Sequence, residues 1–386
     1  MISNSSSGTD DSPLNGLKVI ELARILAGPW AGQTLADLGA DVIKIESPRG
    51  DDTRQWGPPN IVNDNDDSAA YFHSCNRGKR SIVANLKNPS ELEQVKALVS
   101  EADVLIENYK VGGLTSFGLD FAAVNEFNPR LIYCSITGFG QTGPYASRAG
   151  YDFMIQGMSG IMDLTGEADG SPQKIGVAFA DIFTGLYSVI AIQAALQQRK
   201  RTGVGEHIDM ALFDCMTAVL ANQAMNYLSS GNSPSRLGNM HPNICPYETV
   251  ATIDGHIIIA TGNDEQFQRL CECIGLPSLK SDSRFASNAL RVKHRYELMP
   301  LINQKTKQWT KSDLLVSLEQ AIVPAGPIST VQDALNDPQF IHRKLRIDID
   351  GIPGIRTPIM LGKKAMVAKT ASPKLGEHPQ AEFDLK

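Results

Sequence analysis

Short apolar runs alternate with amphipathic stretches along the first half of the chain. Leu17-Lys-Val-Ile-Glu-Leu-Ala23 and Asp41-Val-Ile-Lys-Ile-Glu46 read as strands, separated by a helical pattern from Pro29 to Leu38. The cycle repeats with a strand over Ser81–Leu86, a helix over Ser90–Glu101 and strands over Asp103–Asn108 and Leu131–Ile136. A long apolar helix over Ile182–Gln198 is followed by a strand over Gly205–Leu212 and a second long helix over Asp214–Leu228. This alternation predicts an α/β fold built on a Rossmann-like, doubly wound parallel sheet, whose ligands sit beyond the carboxyl ends of the strands. Those ends carry Glu46-Ser-Pro-Arg-Gly-Asp, Asn108-Tyr-Lys and Thr137-Gly-Phe-Gly.

The pattern then changes. Ser229 to Pro246 is rich in Gly, Asn, Ser and Pro and marks a linker or boundary. Beyond it Glu248–Ala260 reads as a hairpin with Asp254-Gly255 at the turn, and helical patterns cover Asp264–Ile274, Val292–Lys305 and Lys311–Ala321. A smaller α+β domain is expected here. At 386 residues, two domains are the natural division.

Composition narrows the possibilities. A net charge of −6 gives no reason to expect nucleic acid as a partner. No apolar run reads as a bilayer span, so no membrane partner is expected. The six cysteines form no CxxC and read as reduced thiols of a cytoplasmic protein, with no metal site. The Ser-rich residues 1–13 have no secretion-signal pattern and read as a disordered lead-in. The first strand–helix turn, Ala27-Gly-Pro-Trp-Ala-Gly32, is not a dinucleotide fingerprint. Asp181 stands alone in the small, apolar run Gly176-Val-Ala-Phe-Ala-Asp181, just before the long helix. Such an acid accepts orphan helix N–H groups and is held anionic by the helix dipole; the same placement suits a carboxylate nucleophile.

Several segments, in this order, resemble the class III CoA-transferase family: Leu26-Ala-Gly-Pro29, Leu38–Glu46, Gly50-Asp-Asp-Thr-Arg54, Asn76–Ser81, Glu107-Asn-Tyr109, Thr137–Pro144, Gly150-Tyr-Asp152 and Ala180-Asp181. The resemblance spans nearly the whole chain and implies an interlocked homodimer. It implies a large CoA-binding domain over 14–224, a small domain over 225–325, and a return to the large domain over 326–386. It makes Asp181 the nucleophile: the donor acyl group passes to it as a mixed anhydride, and CoA then returns to give an aspartyl-CoA thioester. Tyr151 and Gly262 complete the catalytic set. Coenzyme A, as acyl-CoA, is expected to meet Arg49, Asn76, Lys79, Asn108, Tyr109, Lys110, Leu26 and Ala27; no metal is implied.

Three departures refine this. Racemases of the family carry a histidine where Tyr151 stands, and a phenol of pKa about 10 exchanges α-protons poorly. Formyl-CoA transferases carry a glutamine where Leu26 stands and a glycine loop where Ala260–Asp264 stands. Ser116 replaces a phosphate-binding arginine. The segments around Trp56-Gly-Pro-Pro59 are similar to those of the branch that moves CoA between succinate and glutarate, so the expected substrates are an acyl-CoA, succinyl-CoA first, and a dicarboxylic acid. Trp56, Arg54, Arg24 and His241, with Arg236, are candidates to read the acyl group and its distal carboxylate. The alternatives are a formyl-CoA:oxalate-type transferase, a 2-methylacyl-CoA racemase and a non-catalytic acyl-CoA-binding protein.

Overall fold

The structure is a computed structural model that describes residues 12–63 and 66–383. The expected lead-in lies outside the described residues except for Ser12 and Pro13. The chain divides into two compact units, one comprising Met1–Ile161, Lys174–Met225 and Pro338–Lys386, the other Met162–Gln173 and Asn226–Asp337.

Up to the long helix, the elements run β1 (Lys18–Glu21), α1 (Ala27–Asp37), β2 (Asp41–Glu46), β3 (Asn60–Asn63), β4 (Asp66–Ala69), α2 (Ala70–His73), β5 (Lys79–Val83), α3 (Pro89–Glu101), β6 (Val104–Glu107), α4 (Phe121–Phe127), β7 (Ile132–Thr137), α5 (Asp152–Met158), α6 (Ile161–Leu164) and α7 (Phe179–Thr202). They continue with β8 (Glu206–Ala211), α8 (Leu212–Ala218), α9 (Ala221–Ser230), β9 (Tyr247–Thr252), β10 (Gly255–Ala260), α10 (Asp264–Cys273), α11 (Asn288–Lys293), α12 (Arg295–Thr306), α13 (Lys311–Gln320) and β11 (Ala325–Pro327).

In the first unit six parallel strands form one sheet in the order β5-β2-β1-β6-β7-β8. This is the doubly wound parallel sheet that the alternating pattern predicts, and each of its strands lies on a segment read as a strand. Apolar residues of β1, β6 and β7 pack on one face with α1 and α7 through Ala31, Leu35, Ile192 and Leu196. The other face packs on α3 and α4 through Val95, Val99 and Val124. The strand order reverses between β1 and β6, so the crevice lies beyond Glu21 and Glu107.

Local chemistry explains the helix ends. Asn88 caps α3, with Pro89 at its first position. Helix α7 closes on Arg199, Lys200 and Arg201 with Gly203 left-handed at φ +79°. The predicted helix over Asp214–Leu228 is instead two helices, because Ala221 takes φ +45° and breaks the run. The 24-residue α7 is also long and apolar enough to cross a bilayer by length and composition, contrary to the reading of the sequence. Its small residues Ala180, Thr184, Gly185 and Ser188 face the interior of the first unit. At the far end of β7, Gly138 and Gly150 touch backbone to backbone, which fixes where Tyr151 and Asp152 enter α5.

The second unit is a three-stranded antiparallel sheet, β11-β10-β9, covered by helices. Its core joins Val250, Ile257 and Ile259 to Phe267, Leu270, Leu298 and Leu314. The hairpin falls where predicted, but Thr252 pairs with Gly255, so Ile253 and Asp254 form the turn and Gly255 (φ +138°) opens the next strand.

Candidate active site

Asp181 is the third residue of α7, within its first turn rather than at its cap. The cap position is Ala178, whose methyl group accepts no hydrogen bond. Asp152 supplies the missing acceptor from α5: its Oδ1 accepts the N–H of Ala180 at 2.8 Å and of Asp181 at 3.4 Å. Gln156, one turn on, donates Nε2–H to Asp152 Oδ2 at 2.7 Å and accepts the Ile175 N–H at 2.9 Å. The resemblance includes Asp152 in Gly150-Tyr-Asp152 but implies no role for it. The i, i+4 spacing of Asp152 and Gln156 is the signal that could have found the pair.

Burial pushes the Asp181 carboxyl up to about 7, and the like charge of Asp152 adds to the shift. A carboxylate held securely anionic by the helix end is therefore not what the surroundings produce; desolvation and a neighbouring anion raise its proton affinity instead. Tyr71, at the start of α2, feels Asp181 and Asp152 in turn; burial first, then these charges, raises its phenol. Trp56 stands edge-on to Tyr71, with ring centroids 5.3 Å apart. Tyr151 caps α5 and is 65% exposed within the chain.

Beneath α1 lies a buried set of charges. Glu21 accepts Lys44 Nζ at 2.9 Å and Lys79 Nζ at 2.8 Å. Lys44 also meets Asp51 at 2.9 Å and donates to the Ala23 carbonyl at 2.8 Å. Burial alone would depress Lys44, but Glu21, Asp51 and Glu46 together hold it above the ordinary lysine value. For Lys79 burial wins over Glu21, and its pKa falls. The remaining donors of Lys79 go to the Pro29 carbonyl at 2.9 Å and Asn76 Oδ1 at 2.8 Å.

These contacts correct the expectations for Lys79, Asn76 and Arg54 and place the side chains of Asn108 and Arg24. Lys79 and Asn76 are fully enclosed and spend their polar atoms on one another, on Glu21, on the Pro29 carbonyl of α1 and on the Phe72 carbonyl of α2, so they are structural and not phosphate ligands. Arg54 does not read a substrate carboxylate: it forms a bidentate pair with Glu46 at 2.9 and 2.7 Å and stacks 3.6 Å over Phe72. Asn108 is turned onto the backbone of Arg24, accepting its N–H at 3.0 Å and donating to its carbonyl at 2.7 Å. Arg24 itself is exposed and bridges Asp52.

Other candidates keep accessible positions. Arg49 and Lys110 are exposed on the loops after β2 and β6. Tyr109 rims a crevice shared with Leu22, Ile45, Pro48 and Leu86 at the strand ends. Leu26 and Ala27 are buried at the start of α1. Three candidates belong to the second unit. The Gly262 N–H is taken by Gln266 Oε1 at 2.7 Å. His241 packs on Tyr247, and burial lowers its pKa. Arg236 is engaged with Asp163 at 3.0 Å and the Gly170 carbonyl. Among the described residues no group of three or more His, Cys, Asp or Glu side chains could hold a metal ion.

The sheet, its switch-point crevice and a carboxyl tuned to titrate near neutrality define an α/β enzyme domain. The family model of CoA-transferase family III matches residues 14–379. A succinate–glutarate CoA-transferase of Agrobacterium fabrum is 57% identical over 374 residues, 95% of this chain and 94% of the relative. The human succinyl-CoA:glutarate CoA-transferase is 40% identical over 374 residues, 95% of this chain and 84% of its own. The crystal structure of a CaiB/BaiF family protein from Brucella suis superposes with a TM-score of 0.87 at 64% identity, covering 95% of this chain and 97% of that one. The chain belongs to CoA-transferase family III and is an enzyme of CoA transfer.

Two outcomes follow from the site. Replacing Lys79 by Met leaves Glu21 short of one cation and costs about 3–5 kcal/mol in denaturant unfolding, while CoA affinity of the folded fraction stays unchanged; a raised Kd at full stability would reverse the structural assignment. Activity in kcat/KM rises with pH through about 7 as Asp181 loses its proton. Asp152→Asn removes the like charge yet keeps an acceptor for Ala180, so the acid limb of the pH–rate profile moves to lower pH; an unmoved limb would disconnect the two carboxyls.

Proposed function

We propose that the protein exchanges CoA between succinyl-CoA and a dicarboxylic acid, glutarate first, through covalent intermediates on Asp181. The single observation that carries this is Asp181 itself: a partly buried carboxyl, on a backbone held by Asp152, in a chain 57% identical to a succinate–glutarate CoA-transferase. The Asp181 carboxylate attacks the succinyl carbonyl, forming a C–O bond as the C–S bond breaks and CoA thiolate departs. The thiolate then attacks the aspartyl carbonyl of the mixed anhydride and expels succinate, leaving aspartyl-CoA. Glutarate attacks that thioester, and the freed thiolate takes the glutaryl carbonyl, returning Asp181 as a carboxylate. Thioester and anhydride stay at similar energy, so the exchange needs no ATP. Burial suits the step: a desolvated carboxylate attacks faster, and its raised pKa still leaves it ionised above neutrality.

Tyr151 and Trp56 border the acyl group in this reading. Tyr109, Arg49 and Lys110 meet the CoA moiety at the strand ends, with the start of α1, Leu26 and Ala27, beside the thioester. Racemisation is disfavoured by the phenol at Tyr151.

The working form in this proposal is an interlocked cytoplasmic homodimer, free of membrane. Exposed apolar side chains on α5 and α7 support it, among them Tyr151, Phe153, Met154 and Ile190, a patch that a monomer rarely leaves to water. Six free cysteines suit a reducing compartment.

Asp181→Ala abolishes exchange between succinyl-CoA and glutarate, and hydroxylamine added after acyl-CoA tags Asp181 and no other carboxyl, as read by mass spectrometry. Transfer that survives the substitution would sink the mechanism, and a panel of carboxylic acids ranks the acceptors. In detergent-free buffer, light scattering reports twice the chain mass and cell fractionation finds the protein with the soluble contents; a monomer or a membrane pellet would remove that part of the proposal.

A further inference from the structure

Four buried acids of the first unit are answered by cations. Glu21 has Lys44 and Lys79, Asp37 has Arg77, Glu46 has Arg54 and Asp51 has Lys44. Glu107 is also buried, at 5% exposure, yet among the described residues no cation pairs with it. It ends β6 on the face of the sheet that carries Leu105 and Tyr133. Two neutral donors hold it. Its Oε2 accepts the N–H of Tyr109 at 2.8 Å, and the hydroxyl of Ser135, its register partner on β7, hydrogen-bonds the carboxyl. Ser135 Oγ lies 3.0 Å from Nε2 of His207, whose ring stacks on Phe121 at 4.6 Å and stands edge-on to Tyr133 at 5.4 Å.

Such a carboxyl works against the fold. Burial, with no cation to oppose it, pushes Glu107 up to about 7. Tyr133, Cys134 and Tyr109 feel its charge, Tyr109 also that of Arg24, and Asp209 and Glu206 stand by His207. Because its folded pKa is raised, Glu107 favours folding while protonated, and that contribution is lost as pH rises through about 7. A neutral side chain of the same shape would avoid the cost.

The bond to Tyr109 shows what the carboxyl does there. Tyr109 rims the crevice at the strand ends with Leu22, Ile45, Pro48 and Leu86. The segment that carries it is held on both sides: Asn108 clasps the backbone of Arg24, and the Lys110 carbonyl accepts the Gly113 N–H at 2.7 Å. Between them, Glu107 reaches from inside the sheet and fixes the Tyr109 amide. A carboxylate grips an amide more strongly than a neutral acceptor does.

Resting on the reading of Tyr109 and Lys110 as contacts of CoA, we propose that Glu107 is a positioning residue for CoA. It fixes the backbone of Tyr109, and so the wall of the crevice against which CoA binds, at the expense of stability.

The test sets stability against affinity. Glu107→Leu removes the acceptor and leaves Ser135 its bond to His207. Its Kd for CoA, by titration calorimetry, rises about tenfold or more, while kcat for exchange of succinyl-CoA with glutarate stays within about threefold, since the lost contact serves ground state and transition state alike. Glu107→Gln keeps a neutral acceptor for Tyr109 and a donor for Ser135, so its Kd rises only about threefold. At pH 8 its thermal midpoint exceeds that of the unaltered protein by about 2 °C or more, and the gap closes by about pH 5. A residue serving only the fold would lower the midpoint and the active fraction and leave Kd in place. Unchanged Kd in Glu107→Leu, or no gain in stability at pH 8 in Glu107→Gln, overturns the proposal. If Glu107→Leu does not fold, Glu107→Gln decides alone, and a Kd equal to that of the unaltered protein overturns it. Tyr109→Ala separates the two levels. Full CoA affinity in that variant removes the reading of Tyr109 as a CoA contact, whereas weakened affinity there with full affinity in Glu107→Leu removes only the role of Glu107.

Discussion

One carboxylate shared by two ammonium groups organises the large unit. Glu21 ends β1, Lys44 comes from β2 and Lys79 from β5, so their two ion pairs tie three strands together from within. The group fits beneath α1 only because residue 32 is glycine; a Cβ there would collide with a Glu21 oxygen. Lys79 then reaches the Pro29 carbonyl, and Lys44 the carbonyl of Ala23, so both ends of the turn into α1 are referenced to the same carboxylate. Against a well-packed apolar core such a set adds little stability, because desolvation consumes most of the Coulomb gain. Its effect is directional. Apolar contacts would tolerate a shifted turn; these hydrogen bonds do not.

The same economy governs Asp181. An acidic residue in the first turn of a helix is favoured by the dipole, yet here its surroundings are dry and another carboxylate stands beside its amide. Asp152 does two opposed things at once. It completes the start of α7 by accepting the orphan N–H groups, and it makes ionisation of Asp181 harder. A nucleophile needs both: a fixed direction of attack, and an anion that is poorly solvated and therefore reactive.

The strands of the sheet and the order of the segments were legible because burial on both faces leaves continuous apolar runs that few other elements produce. The hydrophobic pattern could not show the break at Ala221, where one residue's backbone angle, not its polarity, ends the helix. It misjudged α7 as well: a half-buried helix that packs through its small residues has the composition of a bilayer span. Polar residues mislead in a consistent way. The resemblance implies CoA contacts at Lys79 and Asn76, and the charge of Arg54 makes it a candidate for a substrate carboxylate. Each found a protein partner instead.

By itself the sequence determined the α/β class, the family and the position of Asp181, since these follow from periodicity and from residues whose order along the chain is preserved. Tertiary structure alone decided which charges are spent inside and which remain for a ligand. That choice depends on distances between residues far apart in the chain: Glu21 to Lys79, Glu46 to Arg54, Asp51 to Ile25, Asp152 to Asp181. A side chain's chemistry is written in its type, but whether it is free to use that chemistry depends on what stands within three ångströms of it.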